Sequence, residues 1–163
     1  MPPTRIPDEP TGADGASRST TARHFGPSRR LRRPAEFAAV LAAPRSQSLR
    51  AARHWLSMTA AWSSSVEPAV RFGVTVGKRN ARRSVDRAVV KRVLREAGRH
   101  AAPELELTCA RRGLRLDVGF RLKASRDRGS EAQPSLAAWR RALRDEADAL
   151  LERLGRHLAQ PAA

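Results

Sequence analysis

Eight cations crowd the stretch "VGKRNARRSVDRAVVKRVLRE": Lys78, Arg79, Arg82, Arg83, Arg87, Lys91, Arg92 and Arg95. At such density these side chains are phosphate ligands before they are catalysts. The planar fork of arginine matches two phosphate oxygens at once. The first four follow an alternating strand and the last four ride on a helix. At roughly 1.5 Å of rise per helical residue, the set spans about 20 Å. Phosphates recur every few ångströms along a nucleic-acid strand, so several can be engaged together, and released counterions make the binding strong and salt-sensitive. A merely solvated helix face would interleave signs, and this one does not.

Other arrangements that carry chemistry fail on inspection. "GVTVGKR" superficially resembles a phosphate-binding loop. Only three residues separate Gly73 from Gly77, where that loop has four, and Arg79 stands where Ser or Thr would hold magnesium. His24, His54, His100 and His157 lie far apart, with no Cys or acidic pair at metal-ligand spacing. No Ser-His-Asp arrangement stands out. Asp86, Glu96 and Asp117 do not cluster as carboxylates for metal-dependent hydrolysis would.

The whole chain shares this charge balance, with a formal net charge of +16 over 163 residues. Self-repulsion on that scale opposes compaction unless a polyanion neutralises it. Nucleic acid is the first candidate and an anionic membrane surface the second. Cys109 is alone, which excludes an intrachain disulfide and fits a reducing compartment. No apolar run approaches the roughly 20 residues of a membrane helix, and the N-terminus lacks an apolar signal segment, so the expected location is the cytosol.

The elements that position these cations follow from periodicity. Residues 1–22 are rich in Pro, Gly, Ser and Thr and predict a disordered tail. Pro34 opens a short helix with Phe37, Val40 and Leu41 on one face. Residues 54–62 alternate loosely and 70–76 cleanly, and both predict strands. Gly73 leaves one face of the second strand bare, so something can approach its backbone there. A helix starting near Ser84 and ending near Gly98 sets Val85, Val89, Val93 and Ala97 against Arg87, Lys91, Arg95 and Arg99. Residues 114–122 form a third alternating strand. Residues 135–158 form a long amphipathic helix with Trp139 on its apolar stripe. The order is α-β-β-α-β-α, with room for one further strand before the second helix. This makes a single α+β domain over 23–158, with a short tail at 159–163.

The cationic stretch resembles the signature of the bacterial ribonuclease P protein subunit. That family follows Val-x-Lys-Lys/Arg with Ala-Val-x-Arg-Asn-x-x-Lys-Arg-x-x-Arg-Glu, with a basic residue in the position after the asparagine. Here Val76, Lys78, Arg79, Ser84, Val85, Arg87, Lys91, Arg92, Arg95 and Glu96 fall on the pattern, while Ala88 replaces the asparagine and Val89 the basic residue after it. The segment "FGPSRRLRRPAEFAAVL" is similar to the family's basic N-terminal segment and first helix. The chain is longer than is usual for that family at its N-terminus and in 102–114, and both additions read as loop or tail. The resemblance implies an α-β sandwich with a left-handed β-α-β crossover. It also implies a catalytic RNA partner that performs the hydrolysis with magnesium, and a precursor tRNA whose 5′ leader lies in a cleft between sheet and first helix. The protein itself holds no cofactor and needs no catalytic residue or metal site. The eight cations become the RNA-binding set, and Phe25, Phe37, Leu41, Leu56 and Met58 the expected cleft lining. A membrane and a small-molecule substrate are not implied. The alternative on the same residues is a non-catalytic RNA-binding or ribosome-associated protein.

Overall fold

The computed structural model describes residues 26–127 and 133–160. The tail read over 1–22, Phe25 and residues 161–163 lie outside them. Helix α1 (Pro34–Ala42) precedes strands β1 (Ser48–Ala52), β2 (Leu56–Ser64) and β3 (Ala69–Thr75). Helix α2 (Ser84–Arg112), strand β4 (Leu114–Leu122) and helix α3 (Leu136–Ala159) follow. The four strands form one sheet in the order β1-β2-β4-β3. β4 runs antiparallel to β2 and parallel to β3, so α2 is the crossover between two adjacent parallel strands.

Alternation decides which sheet face is which. Leu114, Leu116, Val118, Phe120 and Leu122 of β4 are buried, as are Leu56, Met58 and Ala60 of β2. They meet Val90, Leu94 and Ala97 of α2 and Trp139, Leu143, Leu150 and Leu154 of α3 in one apolar core. The other face carries α1. Across it the register aligns Arg50, Thr59, Gly119 and Gly73 in one row, and Ser48, Ala61, Asp117 and Arg71 in the next.

Three features depart from the sequence expectation. β1 fills the place left for a further strand; its inward residues are only Leu49 and Ala51, too few for a visible alternation. Helix α2 does not stop near Gly98, and 102–114 is not loop. Leu105 and Cys109 continue the buried stripe through the last turns. Pro103 is exposed there, where its ring meets solvent and one backbone bond is forgone. Gly113, at φ 61°, ends the helix in the left-handed region, and its N–H donates to the carbonyls of Ala110 and Cys109. The inward stripe of α2 is also rotated. Asp86, Val90, Val93, Leu94 and Ala97 are buried, whereas Val85 is 62% exposed.

Asp86 is a buried carboxylate in the first turn of α2, where the helix dipole favours it, and Arg126 lies 3.8 Å away. The same guanidinium sits 5.6 Å over the ring of Trp139. This cluster ties the start of α2 to the β4–α3 connection.

Glycine at 73 is a packing requirement. A Cβ there would lie 2.5 Å from the Phe37 ring and 2.8 Å from Cβ of Leu31. Gly73→Ala is therefore expected to destabilise the fold by about 1–3 kcal/mol through overpacking, lowering Tm by about 2–4 °C per kcal/mol. Gly77→Ala, with nothing within 4 Å of the added carbon, serves as the control and leaves Tm within about a degree of the parent's. Thermal melts of the two variants check this.

Candidate nucleic-acid interface

Helix α1 is seated on the open sheet face by one guanidinium and one ring. Arg71 of β3 donates from Nε and Nη2 to the two carboxylate oxygens of Asp117 on β4, both at 2.7 Å. Its Nη1 donates to Oε1 of Glu36 in α1, also at 2.7 Å. The other Glu36 oxygen accepts the backbone N–H groups of Arg32 at 2.7 Å and Arg33 at 2.9 Å, so it caps the helix start. These two N–H donors, with the Arg71 guanidinium behind them, hold the Glu36 carboxyl down at about 2. The paired carboxylates, Asp117 first, raise Arg71 above its ordinary value.

Next to this network the Phe37 ring lies over Gly73 and its cross-strand neighbour Gly119. The bare strand face read from the sequence is thus a seat for Phe37. At the far end of α1, the Leu41 carbonyl accepts from Arg50 Nη2 at 2.6 Å, and the Leu41 side chain is 60% exposed. The expected cleft lining divides here. Phe37 and Leu41 belong to the α1 side. Leu56 and Met58 do not: their β2 positions point to the opposite face, where they are 0% and 1% exposed in the core with α3. Strand parity is the reason, since the residues of β2 on the open face are Ser57, Thr59 and Ala61. Phe25 lies outside the described residues.

The segment before α1 forms a second wall. Leu31 N–H donates to the Phe72 carbonyl at 2.9 Å, so the chain lies along the free edge of β3. A groove of about 340 Å³ opens between this strap and α2, lined by Arg30, Leu31, Arg32, Phe72, Gly73, Val74 and Arg95. Arg95 therefore stands on both the groove and the helix ridge. Arg30 and Arg32 were not among the residues singled out in the sequence; a run of four arginines in 29–33 around Leu31 was the available signal.

Along the ridge, Lys78, Arg79, Arg82 and Arg83 are exposed in the strand-to-helix connection, and Arg92 and Arg95 are exposed on α2. Lys91 is half-buried on the flank. Arg87 differs from the rest. It is half-buried, and its Nη1 donates to the carbonyls of Ala81 at 3.0 Å and Arg82 at 2.7 Å. It shapes the connection that presents the other cations. Asn80 Nδ2 donates to the Leu122 carbonyl at 2.8 Å and ties the same connection to β4.

Among the described residues, no three His, Cys, Asp or Glu side chains gather as a metal site, and no helix is long and apolar enough to cross a membrane. Trp139 is fully buried, and Trp55 meets it edge-on at 6.2 Å between centroids. Trp62 lies against His157 of α3 at 5.4 Å, so it too belongs to the core side.

A family model described as Ribonuclease P matches residues 25–155. A "Ribonuclease P protein component" of Bordetella avium (strain 197N) is 37% identical over 129 residues, covering 78% of this chain and 92% of that one. One from Ralstonia pickettii (strain 12J) is 36% identical over 134 residues, covering 82% and 84%. The RNase P protein of Staphylococcus aureus aligns in three dimensions with a TM-score of 0.50 at 15% identity, over 77% of this chain and 94% of that one. The last is a likeness of fold.

The capping carboxylate sets a pH dependence. Glu36 titrates at about 2 when folded against an ordinary 4.5, so folding favours its ionised form. Its contribution is complete above 4.5 and is lost as pH falls from there toward about 2. Glu36→Gln is expected to lower the urea midpoint at pH 6, with the gap to the parent closing as pH approaches 2. A gap of constant size across that range would show that the charge is not its source.

Proposed function

This chain belongs to the bacterial ribonuclease P protein family, and from that membership we propose how its two cationic surfaces divide the work. It is the protein subunit of a ribonucleoprotein endoribonuclease that matures the 5′ end of tRNA, with the RNase P RNA and precursor tRNA as partners. In our reading the ridge of Lys78, Arg79, Arg82, Arg83, Lys91, Arg92 and Arg95 docks the catalytic RNA through its phosphates. The groove between the N-terminal strap, the edge of β3 and α2, continued by Phe37 and the exposed Leu41, receives the 5′ leader. Arg95 on the shared wall is the observation that carries this arrangement, because it makes ridge and groove one continuous cationic path.

The polypeptide contributes binding and position, not bond cleavage. The acids nearest these surfaces face cations: Asp117 and Glu36 with Arg71, Asp86 with Arg126, and the exposed Glu96 with Arg99. In this reading magnesium is held by the RNA partner. A cytoplasmic location accompanies this reading, with the protein working where its RNA partner and precursor tRNA meet.

The leader assignment rests on contacts a precursor has and a mature tRNA lacks. Arg32→Ala is expected to weaken holoenzyme affinity for precursor tRNA, lower the slope of log affinity against log salt by about 0.7, and leave affinity for mature tRNA unchanged. Equal losses for both substrates would place Arg32 outside the leader path. In the same reconstitution at low magnesium, the parent protein speeds leader removal by the RNA and is inert alone. Binding without stimulation would favour a plain RNA-binding role.

A further inference from the structure

The start of α2 departs from the rest of the ridge. Val85, Ala88 and Arg92 share its solvent face at the i, i+3, i+7 spacing, with Val89 beside them at i+4. Val85 is 62% exposed, Ala88 is exposed, and Val89 is half-buried with one side packed on the core. The result is a small apolar surface set inside the most cationic part of the chain. Arg82 and Arg83 precede it, and Arg92 follows about 10 Å beyond Val85, seven residues at roughly 1.5 Å each. Asp86 is the only acid between Lys78 and Arg95, and it is turned inward toward Arg126.

We propose that this surface seats an unpaired nucleobase of the catalytic RNA on Val85, Ala88 and Val89, while Arg82, Arg83 and Arg92 hold the phosphates on either side. The proposal rests on the ridge being the RNA-docking surface. Charge complementarity selects the occupant, since cations border the patch at both ends along the chain and suit a polyanion. Shape and polarity select the part of the RNA. A paired helix presents phosphates and hydroxyl groups, and pressing them against valines would strip water from polar groups with nothing in exchange. An unpaired base offers an apolar face that accepts such contact whatever its identity. Ala88 and Val89 stand where the resemblance places an asparagine and a basic residue, so this chain presents apolar contact where that pattern presents polar groups.

The test titrates full-length variants against the cognate catalytic RNA over a salt series. Val85→Ser is expected to weaken binding about five- to tenfold by removing apolar contact, without altering the salt slope. Val85→Leu retains affinity. Arg92→Ala weakens binding and lowers the slope by about 0.7–0.9. Val85→Cys carrying a photoactivatable aryl azide should crosslink to a nucleotide that chemical probing of the RNA finds unpaired. Cys109 stays unlabelled because it is fully buried and burial pushes its thiol up to about 11. Wild-type affinity for Val85→Ser, or a crosslink inside a paired helix, overturns the nucleobase seat. An Arg92→Ala variant with unaltered affinity and slope overturns the docking ridge beneath it, a separately readable result.

Discussion

One guanidinium ties helix α1 to the paired strands β3 and β4. Arg71 uses one pair of donors to bind Asp117 on the neighbouring strand and a third to hold Glu36 on α1. Charge-assisted bonds of this kind are about twice as strong as neutral ones. The stronger constraint is what happens without them, because a partly buried carboxylate that loses its cation keeps its desolvation cost with less to offset it. The nine-residue α1 presents just one residue, Val40, that is fully buried. It is too short to persist by propensity. Its position therefore depends on Arg71, on the Glu36 cap and on the Phe37 ring over Gly73 and Gly119. The wall of the proposed leader path depends on that position.

The other face of the sheet meets a different demand. There α2 must be apolar inside and cationic outside, and its length is set by how far the buried stripe continues. The core under α2 and α3 is what allows a chain of net charge +16 to remain folded with so many cations unpaired on its surface. Some cations are spent to place others. Arg87 bonds two carbonyls of the connection, and Arg126 faces buried Asp86, so the start of the ridge is fixed from both sides.

How much of this could be read from the sequence depended on whether the signal was local. β3 and β4 announce themselves because both alternate over a full strand length, and Gly73 correctly marked a close approach to the backbone. The cationic stretch declared its chemistry by residue type and spacing. What failed was pairing at long range. Arg71 and Asp117 were visible as outward residues of two strands, but nothing local says that the strands are neighbours. Leu56 and Met58 were apolar residues beside an expected cleft, and only the sheet's facing shows them under α3. The last turns of α2 were obscured by Pro103, whose usual meaning is a helix end.

Arg71 holds α1 in place, whereas the α2–α3 side of the sheet has its own apolar core and folds independently of it. Hydrogen exchange on the free Arg71→Met variant tests this most directly. Backbone amides 38–42 of α1 are expected to lose their protection, while those of α2 from Val90 to Ala102 keep theirs. Unchanged protection across α1 would contradict it, and would mean that the Glu36 cap and the Phe37 contact hold the helix without Arg71.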